Sequence, residues 1–422
     1  MAQQDDERAT TQRQDATPRP PKKPRAKKPK AENPITAAVT EWLATTSHSS
    51  SSSLDDDPTR QLLLDSAPKR WVVYEPMVLL PSGSFASDAW RAALAGSGAA
   101  DASRLWAAVL AALSARSPTT PLTHLAVNEG IPPLSAGGRG GENVLRSPSG
   151  LRILHGDFGP AAVVVDDDEG VVSDDNFDRA FWVSTRQNDI CQTWAPRWTM
   201  FSRGNVKEKA RLLGLVTTTR NGWAADLYAG IGYFTFSYVR LGLRVLAWEL
   251  NPWSVEGLRR GAARNGWRVR VVRGAADLAR HTAELVGEGE GDEGGVRIVV
   301  FQESNEQAAR RVAELREAEA EAAVELHHIN CGFLPSSAPS WRAALDMAAG
   351  NGRGGGDCWL HLHENVGVAQ IGARAAEVQE LLAGWAADRD GEIATVEVEH
   401  TEMVKTFAPD VWHCVFDVRV GR

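Results

Sequence analysis

The heptapeptide Asp226-Leu227-Tyr228-Ala229-Gly230-Ile231-Gly232 decides the fold class of this 422-residue chain. It ends a predicted strand over 223–228 and opens a predicted helix over 233–241, so both glycines fall at a strand-to-helix turn. Glycines at such a turn let the backbone approach a ligand closely. Thr235 stands where a dinucleotide fingerprint has its third glycine. The turn therefore favours a nucleoside without a pyrophosphate over NAD, the alternative being a turn that serves only the fold.

Strands and helices alternate on the C-terminal side of this turn. Further strands are predicted over 244–248, 297–301 and 358–362, and further helices over 252–265 and 372–387. This alternation predicts a Rossmann-like α/β domain with a doubly wound, mostly parallel sheet, covering residues 196–422. Two acidic stretches, 283–295 and 315–323, are predicted to be surface insertions.

Glu249 follows the second predicted strand, 19 residues beyond Gly230. A carboxylate at this distance can accept hydrogen bonds from the ribose hydroxyls of a nucleoside. The alternative is a charge that complements the dipole of the helix beginning at Pro252. Together with the glycine turn, Glu249 favours the ribose.

Three segments are predicted before the Rossmann-like domain. Residues 1–33 are rich in Gln, Pro, Lys and Arg and are expected to be a disordered basic tail, whose run 20–30 could be a nuclear signal or an RNA-binding arm. Residues 34–59 are expected to form a short helix and a Ser/Asp linker. Residues 60–195, with a helix over 88–115, are expected to form a smaller α/β domain.

Composition excludes several classes of protein. The sequence has neither an apolar run of about 18 residues nor a signal-like N-terminus, so we expect no membrane partner and a cytoplasmic location. The four cysteines lack C-x-x-C spacing, so neither a metal site nor a disulfide framework is expected. The oligomeric state expected is a monomer.

The formal net charge of −8 hides a basic stretch over 179–220. Because local charge governs phosphate binding more than the total does, this stretch is a candidate nucleic-acid surface. The alternative is a solvated helical face. The candidate contacts are Arg186, Arg197, Arg203, Lys207 and Arg211.

Several motifs resemble one family. The segments 226–234 and 248–254 (Trp-Glu-Leu-Asn-Pro-Trp-Ser) are similar to the S-adenosylmethionine domain of the tRNA wybutosine-synthesizing protein 2 family, kin of the tRNA guanine-37 N1-methyltransferases. The segment 200–211 (Met-Phe-Ser-Arg-Gly-Asn-Val-Lys-Glu-Lys-Ala-Arg) looks like that family's signature, where the methyltransferases carry a different one. Further matches in family order lie at 74–80, 143–148, 156–160, 330–337, 361–365 and 404–413.

The resemblance implies a class I methyltransferase fold, S-adenosylmethionine as cofactor, and phenylalanine tRNA as partner, contacted by the smaller domain. It implies transfer of the 3-amino-3-carboxypropyl group to the wybutosine precursor 4-demethylwyosine at position 37, with 5′-methylthioadenosine released. The residues it implies for cofactor binding are Ser202 and Lys209 at the methionine end, Asp226, Gly230 and Gly232 in the turn, Glu249 at the ribose, and Ser304 and Asn305 near the adenine. Ser304 replaces the family's aspartate, and a second alignment places Asp277 there.

A base to remove a proton from the modified ring can be sought at the end of a late predicted strand. His363, Glu364 and Asn365 are candidates by position, and a hydrogen-bonded strand terminus is the alternative. Lys209 could instead join the tRNA-binding face. A guanine-37 methyltransferase and a non-catalytic tRNA-binding protein remain the rival functions.

Overall fold

The computed structural model describes residues 32–46, 58–116, 120–129, 150–162, 171–215, 222–287, 295–318, 324–351, 356–389 and 393–421. Most of the predicted basic tail and the serine-aspartate tract of the predicted linker lie outside these ranges. Among the described residues no helix is long and apolar enough to cross a membrane. The same residues contain no cluster of His, Cys, Asp and Glu that could hold a metal ion.

The N-terminal unit is a four-stranded sheet covered by helices. Its strands lie in the order β1-β2-β3-β4, with β2 and β3 parallel and the other pairs antiparallel. The first helix contributes Ile35, Val39 and Trp42 to the core of this unit, so it packs with the sheet although it was expected beside a linker. The elements are α1 (Pro34–Thr46), α2 (Pro58–Ser66), β1 (Val72–Tyr74), β2 (Met77–Leu80), α3 (Asp88–Ser114), β3 (His124–Asn128) and β4 (Leu151–His155).

A hairpin and two short helices join this unit to the larger one. They are α4 (Asp174–Arg179), β5 (Val183–Gln187), β6 (Ile190–Trp194) and α5 (Val206–Leu213). The hairpin packs against a helix of the larger unit so closely that a Cβ on Gly257 would lie 2.8 Å from the Thr193 carbonyl oxygen. Residues 183–194 therefore contact the larger unit, although they fall within the predicted smaller domain.

The larger unit is built on an eight-stranded sheet. Its order is β13-β14-β12-β11-β7-β8-β10-β9. Strands β7 to β12 run parallel to one another, whereas β14 is antiparallel to both of its neighbours, β12 and β13. The strands are β7 (Trp223–Asp226), β8 (Arg244–Trp248), β9 (Val269–Val272), β10 (Ile298–Phe301), β11 (Leu326–Cys331), β12 (Cys358–Gly367), β13 (Thr395–Ala408) and β14 (Val411–Gly421).

Helices cover both faces of this sheet, and apolar cores lie under each layer. They are α6 (Thr235–Arg240), α7 (Pro252–Arg264), α8 (Gly274–Leu278), α9 (Thr282–Gly287), α10 (Ala308–Ala318), α11 (Trp341–Ala349) and α12 (Ile371–Ala387). The predicted doubly wound, mostly parallel sheet is confirmed. The strand order reverses at β7, since β8 lies on one side of it and β11 on the other. Ligands bind at the carboxyl ends of the strands at such a point.

Both acidic stretches that were expected to be insertions contribute to the core. Leu285 and Val286 of α9 are buried, and so is Leu315 in α10, which extends to Ala318. For these parts of α9 and α10 the expectation was wrong, because acidic residues flank the apolar positions and dominate the composition; residues 288–294 and 319–323 lie outside the described ranges. Helical spacing of Leu315 with Val312 and Ala308 is the pattern that marks the buried face.

Arg211 belongs to a buried ion-pair network between α5 and β14. Its guanidinium donates to Glu208 at 2.6 Å and to Asp417 at 3.0 Å, and Asp417 also accepts from His361 Nδ1 at 2.7 Å. The side chains of Glu208 and Asp417 are almost inaccessible to solvent. This corrects the expectation that Arg211 contacts nucleic acid, since its charge is already neutralised inside the protein.

Arg211→Ala is therefore expected to lower the free energy of unfolding by about 3–5 kcal/mol, because it leaves buried carboxylates without their counterion. Urea denaturation at neutral pH measures this. Arg203→Ala is the matched control, since Arg203 is exposed on the adjoining turn and its loss should change stability by less than about 0.5 kcal/mol. Equal effects of the two substitutions would contradict the role assigned to Arg211.

Candidate nucleoside-binding site

Asp226 closes the turn after β7. One of its carboxylate oxygens accepts from the backbone N–H of Thr235 at 3.0 Å and from the Thr235 hydroxyl at 2.7 Å. The other accepts from the amide of Asn330, at the end of β11, at 3.0 Å. Asp226 is fully buried, and this burial raises the pKa of its carboxyl group. It shapes the turn and exposes no oxygen to a ligand, which corrects its assignment as a cofactor contact.

Gly230 and Gly232 have backbone φ values of +54° and +87°, in the left-handed region that favours glycine. A Cβ on Gly230 would lie 2.9 Å from the Tyr233 ring, and one on Gly232 would lie 2.5 Å from the Phe236 ring. The turn therefore needs glycine at both positions, and its backbone forms the floor of the crevice.

Glu249 follows β8 directly and contacts this backbone. Its carboxylate accepts from the N–H of Gly230 at 2.9 Å and from the N–H of Asn251 at 2.7 Å. Burial raises the pKa of Glu249. Each oxygen keeps a further lone pair, so the group can also accept from two hydroxyls of a ribose. The contact with Asn251, which caps α7, means that Glu249 also complements that helix terminus.

Asn305 reaches the same crevice from the end of β10. Its amide donates to the carbonyl of Leu227, inside the glycine turn, at 2.8 Å. Ser304 precedes it and caps the following turn through the N–H of Glu306. Asp277, the alternative position for the adenine contact, lies in α8 after the edge strand β9 and pairs with Arg270 and Arg280. The geometry thus brings Ser304 and Asn305 to the turn and leaves Asp277 at the sheet edge.

Lys209 is a buried cation held by neutral partners. Its ammonium donates to the side-chain oxygens of Gln187 at 2.6 Å and Gln192 at 2.7 Å. The ammonium also lies 5.2 Å from the centre of the Phe201 ring. Among the described residues no carboxylate pairs with it, and burial lowers its pKa to about 8. An ammonium desolvated in this way is poised to bind an anion.

Ser202 lies beside Lys209 on the loop before α5. Its N–H donates to the Tyr233 hydroxyl at 3.1 Å, which fixes the loop against the glycine turn. Its own hydroxyl accepts from the ammonium of Lys405 in β13, with 3.4 Å between Nζ and Oγ. Sequence reasoning did not identify Lys405 as a site residue, although it lies in the family motif 404–413. It is 203 positions from Ser202 in the sequence, and only the pairing of β13 with β14 brings the two side chains together.

The first unit also reaches this region. Tyr74 packs edge-on against Phe201, with ring centres 5.7 Å apart, and against Trp194 at 4.8 Å. Phe201 in turn stacks on Trp194 at 4.6 Å. The ring beneath the Lys209 ammonium is therefore held from both units.

The three candidate bases have different surroundings. His363 is buried, and its Nδ1 lies 2.9 Å from His413 Nε2. Burial lowers the pKa of His363 well below its usual value. Glu364 pairs with Arg374 at 2.8 Å. Among the described residues, His363 Nε2 and both polar side-chain atoms of Asn365 have no hydrogen-bond partner.

The remaining basic candidates differ in exposure. Arg186, Arg203 and Lys207 are exposed, whereas Arg197 is half-buried. Arg203 and Lys207 flank the start of α5, next to Ser202, so they extend the positive charge outward from the crevice.

Known proteins of similar sequence were found, although no family model matches the chain. The tRNA wybutosine-synthesizing protein 2 of Schizosaccharomyces pombe is 40% identical over 352 residues, covering 83% of this chain and 72% of that protein. The protein of the same name in Saccharomyces cerevisiae is 33% identical over 381 residues, covering 85% and 75%.

A crystal structure of P. horikoshii TYW2 in complex with MeSAdo has a similar fold. It superposes with a TM-score of 0.53 at 16% identity, covering 92% of this chain and 99% of that one. At this identity the likeness bears on the fold alone.

Glu249→Ala is expected to weaken binding of 5′-methylthioadenosine by at least tenfold, because two hydrogen bonds to a charged acceptor are lost, each worth about 1.5–3 kcal/mol. Isothermal titration calorimetry measures the affinity, and a thermal melt checks that the variant is folded. Glu306→Gln removes an exposed carboxylate near the same edge and should bind normally. Unchanged affinity in folded Glu249→Ala would remove this residue from the site.

Proposed function

The chain belongs to the tRNA wybutosine-synthesizing protein 2 family, and from this membership we propose that it transfers the 3-amino-3-carboxypropyl group of S-adenosylmethionine to 4-demethylwyosine at position 37 of phenylalanine tRNA. The second product is 5′-methylthioadenosine. The observation that carries the proposal is 40% identity along 83% of the chain to a relative of that name. The enzyme is a transferase that acts in the cytoplasm as a monomer.

The crevice residues fit this cofactor. Glu249 offers acceptors for the ribose hydroxyls, and Asn305 offers an amide beside the turn, where an adenine edge would lie. The buried ammonium of Lys209 offers a counter-charge to the carboxylate of the methionine part. Glu249 and Asn305 follow the carboxyl ends of the parallel strands β8 and β10, and Lys209 comes from helix α5.

When bound, the cofactor supplies a sulfonium whose three attached carbons are all open to nucleophiles. The carbon that is attacked is then decided by which one the protein places in line with the nucleophile, since proximity and orientation account for most of the acceleration. Lys209 and Ser202 fix the carboxylate end, and so hold the propyl chain in one orientation. The turn at Gly230 and Gly232 fixes the other end.

Proton removal from the acceptor ring is assigned to the end of β12. Among the described residues His363 Nε2 has no hydrogen-bond partner, and it can accept a proton in the tautomer whose Nδ1–H donates to His413. Burial lowers the pKa of His363 and keeps the ring neutral near pH 7. Glu364 is less suited because Arg374 already pairs with it. Asn365 carries no proton-accepting group of useful basicity and would orient the acceptor instead.

Incubation of the enzyme with S-adenosylmethionine and precursor tRNA should release 5′-methylthioadenosine. Chromatography of a single-turnover reaction identifies this product, and tRNA with unmodified guanosine at position 37 is the control that should give none. Release of S-adenosylhomocysteine, above all from the control tRNA, would establish the guanine-37 methyltransferase instead. Release of neither nucleoside would favour the non-catalytic tRNA-binding protein.

Lys209→Ala should weaken S-adenosylmethionine binding about 10- to 150-fold, the equivalent of one charge-assisted hydrogen bond. Binding of 5′-methylthioadenosine should change much less, because it has no carboxylate. Calorimetry with both ligands makes the comparison. Equal losses for both, or a loss only for tRNA, would move Lys209 out of the cofactor site and onto the tRNA-binding face.

The affinity for S-adenosylmethionine should also fall as the pH rises through about 8, the lowered pKa of Lys209. The sign follows because deprotonation removes the positive charge that the carboxylate needs. The cofactor's own α-amino group titrates near the same pH, at about 7.7–8.0. Lys209→Arg separates the contribution of the protein from that of the cofactor, because arginine stays charged in this range. Its plot of affinity against pH should lack the part of the fall that is due to Lys209. Superimposable curves would contradict the assignment.

A further inference from the structure

The tip of the β13–β14 hairpin carries an aromatic ring in solvent. Phe407 is 59% exposed, and it has no ring partner among the described residues. Thr406 pairs with Trp412 and Ala408 pairs with Val411, so Phe407 is the extra residue of a bulge. A bulge changes the direction in which a side chain points. Exposed apolar groups can mark an interaction site.

The tip lies at the same edge of the sheet as the crevice. Gly367, the last residue of β12, pairs with Val411 at the start of β14. Because β12 runs parallel to β11 and β7, the carboxyl ends of these strands and the hairpin tip share one edge. Contact between Lys405 and Ser202 joins the hairpin to the loop beside the glycine turn.

Lys405 is a half-buried cation packed against the loop before α5. Its ammonium lies 3.4 Å from the Ser202 hydroxyl and 3.4 Å from the Asn205 side-chain oxygen. A Cβ on Gly204 would lie 2.5 Å from the Lys405 ammonium, so the side chain is laid flat against that glycine. Among the described residues no carboxylate pairs with Lys405. Its charge is therefore available to an anion.

The surrounding surface mixes cations with apolar groups. We call it the hairpin ledge, made of residues 200–207 and 403–407, and its sequence contains no Asp or Glu. Arg203 and Lys207 are exposed on it. Its exposed large apolar side chains are Met200, Val206, Met403 and Phe407.

We propose that the hairpin ledge binds unpaired nucleotides of the RNA substrate beside the modified base, with Phe407 stacked on a nucleobase and Lys405 paired with a phosphate. Proteins hold single-stranded loops by stacking splayed bases on aromatic rings and by tracking the backbone with cations. The ledge carries the cations Arg203, Lys207 and Lys405 and no carboxylate, so its charge complements phosphates. An apolar protein partner would not require this charge. This inference rests on the proposed function and adds a contact to it.

Phe407→Leu and Phe407→Tyr separate stacking from simple apolar contact. The Leu variant should bind precursor tRNA about 5- to 150-fold more weakly, the range expected for one lost base stack, whereas the Tyr variant should bind like wild type. Affinity for S-adenosylmethionine should be unchanged in both. Leu381→Ala is the control, since Leu381 is 40% exposed on α12, outside the ledge, and its loss should not affect tRNA binding.

Lys405→Met tests the phosphate contact. The slope of log affinity for tRNA against log salt concentration should be smaller in magnitude by about one in this variant than in wild type. Wild-type affinity for tRNA in Phe407→Leu, an unchanged salt slope in Lys405→Met, or a loss of S-adenosylmethionine affinity in Phe407→Leu would overturn the proposal. The product assay on wild type tests the function separately, because a ledge variant can bind tRNA normally while wild type still releases 5′-methylthioadenosine.

Discussion

The buried carboxylate of Asp226 is the contact on which the geometry of the crevice depends. An ionised group removed from water costs several kcal/mol unless donors replace its hydration. Thr235 supplies two donors from the start of α6, and Asn330 supplies one from the end of β11. The start of α6 and the end of β11 are thereby both held to the end of β7. The glycine turn has one conformation because its ends are fixed in this way, and Glu249 can then bond to its backbone.

The buried cations of this protein fall into two groups, those paired with carboxylates and those that contact only neutral groups. Arg211 and Arg311 are neutralised inside the structure by carboxylates, and these pairs hold elements together. Lys209 and Lys405 are also removed from water, yet only amide and hydroxyl oxygens face them within the described part of the chain. The net charge of the sequence cannot reveal this division. It follows from the tertiary pairing of each cation, and it separates the structural cations from those open to a ligand.

The alternating strands and helices of the larger unit were predictable, because buried parallel strands such as 244–248 are short apolar runs and helical periodicity marks the segments between them. The turn glycines and Glu249 were predictable for the same local reason. The role of Arg211 was not, since its partner Asp417 lies 206 positions away and nothing local distinguishes it from a surface arginine. Lys405 and His413 were missed because long antiparallel strands bring them to the site. The resemblance suggested Asn305 with Asp277 as the alternative, and the position of β10 next to β8 brings Asn305 to the turn.

The ring contacts of Tyr74 bear on how the molecule moves. Tyr74 belongs to the N-terminal unit, yet it packs on Trp194 and on Phe201, the ring beneath the Lys209 ammonium. A hinge opening between the units would pull this ring from its neighbours and expose the ammonium to water. The N-terminal unit is thus a wall of the crevice, not a module on a tether. Any such opening would cost the packing of Tyr74 on Trp194 and Phe201, so these ring contacts oppose it.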